Sequence, residues 1–91
     1  MMHEVKPSLK RILKKIRKKD RALYERVLKK IQEIITSSVE EIEHYKNLRY
    51  DMKDSKRVHV GSFVLVFRFD KRRNFISFED FQHHDFIYVG E

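Results

Sequence analysis

The stretch from Arg57 to Phe69 constrains the fold more than any other part of the chain. Between Arg57 and Val60 basic and apolar side chains alternate, and from Phe63 onward every second residue is large and apolar. A period of two residues is typical of a β-strand with one buried face. The sequence therefore predicts strands of a small sheet whose polar side carries Arg57 and His59.

A further strand is predicted from Phe75 to Phe81, after a polar turn at residues 70–74. It runs into His83 and His84, so a second set of side chains able to transfer protons lies just past a strand end. If the strands are adjacent in the sheet, these two histidines can meet His59.

Two amphipathic helices precede the sheet, because apolar residues recur at the spacing of one helix face. The first stripe is Leu9, Ile12, Leu13 and Ile16, and the second is Leu23, Val27, Ile31, Ile34 and Ile35. Ser8 and Asp20 are the predicted N-caps of these helices. Ser38 and Glu41 have the spacing of a capping box, which predicts a short third helix.

Residues 3–6 could form an edge strand, and residues 46–56 are expected to be a polar connector.

These patterns predict an α+β fold in which a small antiparallel sheet packs on an N-terminal helical hairpin. The residues expected to be buried against the helical stripes are Phe63, Leu65, Phe67 and Phe69. With 91 residues, the chain is expected to form one domain, residues 1–91, near the size at which a single core is just sufficient.

Several classes of protein are excluded by what the sequence lacks. The chain contains no cysteine, which excludes disulfides and thiolate metal sites. It has no run of about 18 apolar residues, and its N-terminus has no apolar region of a signal peptide. We therefore expect a cytoplasmic protein with no membrane association.

Positive charge is concentrated in the first third of the chain. Residues 1–36 hold 12 Lys and Arg against 4 Asp and Glu, whereas the whole chain has a net charge of +7. Such a basic surface is typical of proteins that bind a polyanion, such as nucleic acid, the ribosome or an acidic protein. Lys14, Lys15 and Lys18 are the candidates for this contact. The alternative is a solvated helix face without a partner.

The five histidines of the chain raise the question of a metal site. His83, His84 and Asp85 are consecutive, and adjacent side chains on a strand point to opposite faces. The sequence therefore predicts no metal site and no cofactor. Histidine has an ordinary pKa of about 6.5, so it can take and give a proton near neutral pH. The more specific hypothesis is that these histidines take part in acid–base catalysis. The alternative is a pair of surface histidines at the end of a strand.

The order of four short motifs resembles the RelE/ParE superfamily of type II toxins. The motifs are Pro7-Ser8-Leu9-Lys10-Arg11, Lys46-Asn47-Leu48, Arg57-Val58-His59-Val60-Gly61 and His83-His84-Asp85-Phe86-Ile87-Tyr88. The match spans nearly the whole chain, and the order and spacing of the motifs carry it. The resemblance implies a small antiparallel sheet with a helical hairpin on one side. Many members of this superfamily are ribosome-dependent mRNA endonucleases.

For such an enzyme the resemblance implies attack of the substrate's 2′-hydroxyl on the adjacent phosphate, which needs a base, an acid and cationic support but no metal. The implied catalytic residues are His59, His83, His84 and Tyr88. The implied substrate-binding residues are Arg57, Arg49, Lys56, Arg68, Lys14, Lys15 and Lys18. One departure is Val64, which stands where the superfamily usually has an arginine. Arg68 or Arg49 would have to substitute for that side chain.

Three functions stay open at this point. The first is an mRNA endonuclease that inhibits translation. The second is a ParE-like inhibitor of DNA gyrase, which needs no catalytic residues and tolerates Val64. The third is a catalytically inactive basic module that binds nucleic acid or an antitoxin. The partners implied by the resemblance are a cognate antitoxin, the ribosome and mRNA, with operator DNA contacted only through the antitoxin.

Overall fold

The computed structural model describes residues 1–49 and 54–87. The elements in chain order are β1 (Met2–Val5), α1 (Pro7–Lys19), α2 (Arg21–Ile35), α3 (Val39–Glu43), β2 (Lys46–Asn47), β3 (Ser55–Val60), β4 (Phe63–Asp70), β5 (Phe75–His83) and α4 (His84–Ile87). The predicted strands at residues 57–69 and 75–81 are confirmed as β3, β4 and β5. Within the described ranges, every helix is too short or too polar to cross a membrane.

The five strands form one sheet in the order β1-β5-β4-β3-β2. Neighbours are antiparallel except that β1 pairs in parallel with β5. An α+β fold with a mostly antiparallel sheet is therefore confirmed. The helical hairpin is not the first element, because residues 2–5 form β1 before it, close to the edge strand that was predicted at residues 3–6. This strand covers the outer edge of β5, which would otherwise expose unpaired backbone groups.

Local capping explains where the two long helices begin. α1 begins at Pro7, whose fixed φ and missing N–H suit the first helical position. The N-cap is Lys6, so the prediction of Ser8 as N-cap is wrong. The predicted cap of α2 is confirmed, since the backbone N–H of Leu23 donates to Oδ1 of Asp20 at 3.1 Å.

The sheet has a core face, which packs on the helices, and an open face on the other side. Side chains of directly paired residues point to the same face, so the strand register assigns each residue. The buried core cluster is Leu9, Leu13, Leu23, Val27, Ile31, Ile34, Ile42, Val60, Leu65, Phe67, Phe69, Ile76, Phe78 and Phe81. Three of the four predicted core residues on β4 are buried, and Phe63 is half-buried at the margin of the cluster.

A β-bulge in β5 brings Phe78 and Phe81 to the same face. Phe67 pairs with Phe78 and Leu65 with Phe81, and the register shifts between Val66 and Phe67. In a regular strand, residues three apart point to opposite faces. The extra residue of the bulge shifts the alternation by one, so that both phenylalanines point to the core face. The core thereby gains two phenylalanine side chains that are 0% and 1% exposed.

Candidate functional site

Arg57 and His59 lie side by side on the open face of β3. Arg57 pairs with Val66 and His59 with Val64 of β4. The predicted polar side of the sheet is thereby confirmed. His59 is exposed, whereas Arg57 is half-buried and its Nε atom is enclosed by the protein.

Strand β2 adds a second cation to this face. Lys46 pairs directly with Arg57, and its side chain is exposed. In such a pair the Cβ atoms are about 4.5–5.5 Å apart, and like charges destabilise the sheet. We call Lys46, Arg57 and His59 the open-face cluster. Lys46 was not among the predicted site residues, because residues 46–56 were expected to be a connector. Its place in the Lys46-Asn47-Leu48 motif was the signal that could have identified it.

Val64 and Val66 form the floor beneath the open-face cluster. They are 0% and 6% exposed, although they point away from the helices and lie outside the core cluster. Gln82 pairs with Val64 and Asp80 with Val66 on the far side of β4. The open face is therefore basic along β2 and β3, apolar along this part of β4, and neutral to acidic along β5. No guanidinium stands at position 64, beside His59.

Two other predicted substrate-binding arginines are not paired directly with a member of the cluster. Arg68 is exposed on the open face, where it pairs with Ser55. It lines a groove of about 490 Å³ that also contains the carboxylates of Asp54 and Asp70. Arg49 is exposed just beyond β2. The groove is of mixed charge, so Arg68 does not reproduce the basic surroundings of the open-face cluster.

Lys56 does not share the open face, and its predicted role in substrate binding stays a prediction. It pairs with Phe67 and is 9% exposed. Its Nζ atom donates to Oδ1 of Asn47 at 2.8 Å. Neighbours along a strand alternate in direction, so Lys56 and Arg57 lie on opposite faces of the sheet.

The prediction that His83 and His84 point to opposite faces of one strand is wrong. β5 ends at His83, and α4 begins at His84, so the two residues do not alternate as strand neighbours would. Their ring centroids are 4.4 Å apart and the ring planes are inclined by 30°. Asp85 follows, with one carboxylate oxygen 3.0 Å from Nδ1 of His84. We call His83, His84 and Asp85 the histidine corner.

The expected meeting of His59 with His83 is not what the register shows. β4 separates β3 from β5. His83 pairs with Phe63, which pairs with Val60, so His83 is directed to the face opposite that of His59. Tyr88, the fourth predicted catalytic residue, lies outside the described residues. Its role stays a prediction.

The basic surface of α1 is exposed as expected. Lys14, Lys15 and Lys18 are exposed and share a shallow groove with Arg11. Part of this charge also has a structural role. Lys18 lies in the last turn of α1, where cations interact favourably with the helix dipole.

Comparison with known proteins identifies the family. Residues 2–88 match the family described as the ParE toxin of the type II toxin-antitoxin system, parDE. A protein of Methanocaldococcus jannaschii named "Putative toxin RelE4" is 46% identical over 86 residues, which cover 93% of this chain and 87% of that protein. An "Uncharacterized protein" of Methanosarcina mazei is 37% identical over 86 residues, which cover 93% of this chain and 95% of that protein. No solved structure matches the chain at a comparable significance.

The match to the family covers almost the whole chain, and the identity to the relative from Methanocaldococcus jannaschii extends over most of both proteins. The four motifs and the mostly antiparallel sheet agree with it. The chain belongs to the RelE/ParE superfamily of toxins of type II toxin–antitoxin systems, in which the toxin has an antitoxin as its partner.

Proposed function

We propose that this toxin is an mRNA endonuclease that acts on the ribosome in the cytoplasm and thereby inhibits translation. The observation that carries the proposal is the open-face cluster. Lys46 and Arg57 are direct cross-strand neighbours, so two cations lie on the same face and close enough to bind one anion together. His59 follows two residues after Arg57 on the same face. A phosphate with a proton donor and acceptor beside it fits this surface.

The chemistry follows from the three side chains. The 2′-hydroxyl of one nucleotide attacks the next phosphate, and the P–O bond to the 5′ oxygen of the following nucleotide breaks. His59 takes the proton of the 2′-hydroxyl, and a second group gives a proton to the leaving 5′ oxygen. Lys46 and Arg57 stabilise the extra negative charge of the phosphate in the transition state. The products are a 2′,3′-cyclic phosphate and a free 5′-hydroxyl.

The second proton carrier stays a prediction. Tyr88 is the candidate from the superfamily motif. His83 and His84 were also predicted to transfer protons, but β4 lies between their strand and β3. The open face offers Gln82 and Asp80 beyond the valine floor. Of these two, Asp80 already accepts hydrogen bonds from the Phe81 N–H and the Gln82 amide.

Translation of a defined mRNA by purified ribosomes tests the proposal. With the toxin present, we expect new mRNA 5′ ends inside ribosome-bound codons, carrying 5′-hydroxyl groups. The same mRNA without ribosomes should stay intact. Uncut mRNA in the presence of translating ribosomes would contradict the endonuclease function.

His59→Ala should reduce the cleavage rate by about 10²–10⁴-fold, the usual contribution of a general acid or base. The matched control is His44→Ala, because His44 is also exposed but lies at the C-terminal end of α3. Equal cleavage by the wild type and the His59 variant would remove His59 from the mechanism.

The pH profile distinguishes a histidine from a stronger base. Because histidine titrates near neutrality, cleavage should rise across the neutral range as the base loses its proton, and it should fall again at higher pH once the second group can no longer donate one. Lysine or arginine as the base would give a rate that continues to rise into the alkaline range. Single-turnover rates on ribosome-bound mRNA, measured between pH 5 and 9, provide the comparison.

Inhibition of DNA gyrase is the second candidate. Two observations favour it: the matching family is that of a ParE toxin, and Val64, fully buried, stands where an arginine is usual in the superfamily. A supercoiling assay with purified gyrase separates the candidates. Loss of supercoiling with intact mRNA would establish gyrase as the target. If supercoiling continues and the mRNA also stays intact, the protein is a binding module without catalysis.

A further inference from the structure

The histidine corner is held in place by contacts on two sides. The backbone N–H of His84 donates to the carbonyl of Ser62 at 3.0 Å, which ties the start of α4 to the turn between β3 and β4. The ring of His83 meets that of Phe63 edge-on, with centroids 5.6 Å apart. Both imidazoles are half-buried. These contacts fix the backbone at His84 and the ring of His83, whereas the Asp85 side chain is 70% exposed.

The three residues of the corner place their possible ligand atoms close together. Nδ1 of His84 lies 3.0 Å from one carboxylate oxygen of Asp85, and Nδ1 of His83 lies 3.5 Å from the other. One ligand atom from each residue can be chosen so that all lie within 4.8 Å of one another. Two ligands of a tetrahedral zinc ion, with bonds of about 2.0–2.2 Å, are about 3.4 Å apart. Only small side-chain rotations would bring the three atoms onto one ion.

The lone pair of His83 Nδ1 already points into the corner. The backbone N–H of Asp85 donates to this nitrogen at 3.2 Å. A cation would replace that N–H as the partner of the lone pair. The Asp85 carboxylate, with an oxygen toward each ring, supplies the negative charge that such a cation needs.

We propose that the histidine corner is a binding site for a divalent transition-metal ion, formed by Nδ1 of His83, Nδ1 of His84 and the Asp85 carboxylate. Two imidazole nitrogens and one carboxylate suit Zn²⁺, whereas Mg²⁺ and Ca²⁺ prefer oxygen ligands alone. Three protein ligands leave a fourth tetrahedral position for water.

The metal site is separate from the proposed endonuclease site. Its ligands lie at the end of β5 and the start of α4, whereas Lys46, Arg57 and His59 lie on β2 and β3. A bound ion would join the last residue of the strand to the first turn of the helix. Since it binds the folded chain and needs this turn to assemble its ligands, it stabilises the fold by mass action.

Titration of untagged protein with Zn²⁺ tests the site, after chelator treatment and dialysis. Calorimetry should give one ion per chain, and Co²⁺ as a spectroscopic probe should give the visible absorption bands of a tetrahedral site. The ligand variants are His84→Ala and Asp85→Asn. Both side chains are largely solvent-accessible, at 46% and 70% exposure, so their replacement should leave the fold intact. His83 is avoided because its ring packs on Phe63.

Each ligand variant should weaken Zn²⁺ binding by at least about 10–100-fold, the loss seen when even an outer partner of a metal ligand is removed. The control variants His3→Ala and His44→Ala each remove an exposed histidine elsewhere and should bind as the wild type does. Circular dichroism checks that every variant is folded. Lack of stoichiometric binding by the wild type would overturn the proposal, as would equal affinity in the ligand variants. Neither readout depends on RNA or gyrase.

Discussion

Lys46 and Arg57 are the pair of residues to which the proposed function gives the role of binding the phosphate. Their side chains are opposite one another on the open face, where two positive charges repel. In the proposed function a bound phosphate would contact both side chains, and the pair would strengthen the complex with RNA.

Lys46→Gln should therefore reduce mRNA cleavage while leaving the free energy of unfolding unchanged or slightly raised. The physical reason is that the substitution removes a cation from the phosphate site and a repulsion from the sheet. Lys29→Gln is the matched control, since Lys29 is exposed on α2, away from the open face. Urea unfolding and the cleavage assay are measured on the same preparations. A loss of stability equal to the loss of activity would show that Lys46 is structural.

Phe67 represents the opposite case, a residue whose importance is packing. Its side chain is 0% exposed and contacts Tyr45 and Phe78 at ring-centroid distances of 5.5 and 5.9 Å. Phe67→Ala should lower the free energy of unfolding by about 3–5 kcal/mol, through lost burial and a residual cavity. Phe86→Ala, at a ring that is 73% exposed, should change it by less than about 0.5 kcal/mol. Similar urea midpoints for the two variants would contradict the assigned core.

At the scale of elements, the formation of α3 depends on the hydrogen bonds of its first turn. The predicted capping box is confirmed: the Ser38 hydroxyl accepts from the Glu41 N–H at 3.2 Å, and the Ser38 N–H donates to the Glu41 carboxylate at 3.0 Å. The hydrogen bond from the Ser38 backbone, with that from its side chain, lowers the pKa of Glu41 below 4.5. A helix of five residues has few internal hydrogen bonds, so these two matter for its formation.

The capping box predicts a pH dependence with a definite sign. Because the pKa of Glu41 is lower in the folded state, its stabilising contribution is present above the unfolded pKa and is lost as the pH falls through the folded pKa. Glu41→Gln should therefore be less stable than the wild type at pH 6, and the difference should shrink toward pH 3. Glu40→Gln, an exposed neighbour, is the control. Urea unfolding across this range gives the comparison, and a pH-independent difference would contradict the cause assigned here.

At the scale of the whole molecule, cations are concentrated on two separate surfaces. The basic surface of α1 lies on the helical layer, whereas the open-face cluster lies on the other side of the sheet. Residues 1–36 contain 12 Lys and Arg against 4 Asp and Glu. In the proposed function, the ribosome would contact the helical surface while one RNA strand occupies the open face.

Charge reversal at Lys14, Lys15 and Lys18 should weaken binding to ribosomes or to a model polyanion and reduce its dependence on salt, because fewer counterions are released. Reversal at Arg21, Lys29 and Arg72, three exposed cations elsewhere, is the matched control for net charge. Binding is measured at several salt concentrations. If both triple variants behave alike, net charge is responsible and the α1 surface is not a specific contact.

The sequence by itself determined most of the elements and most of the core, although β2 and α4 were not predicted. Alternation at residues 57–69 and the helical stripes are local periodicities, and each one is enough to orient a side chain toward or away from a core. Asp20 and the Ser38 capping box were likewise predictable, because a cap acts within one turn. The family resemblance also rested on motifs that are contiguous in the chain.

Tertiary structure alone decided which of these pieces meet. The parallel pairing of β1 with β5 and the pairing of Lys46 with Arg57 join residues that are far apart in sequence, and no local pattern specifies such partners. Lys56 lies on the opposite face from Arg57 because β3 begins at Ser55, within the predicted connector, and neighbours along a strand alternate in direction. His83 and His84 came together because β5 ends between them. Where a strand stops is set by backbone hydrogen bonds to its neighbours, and those neighbours exist only in the folded sheet.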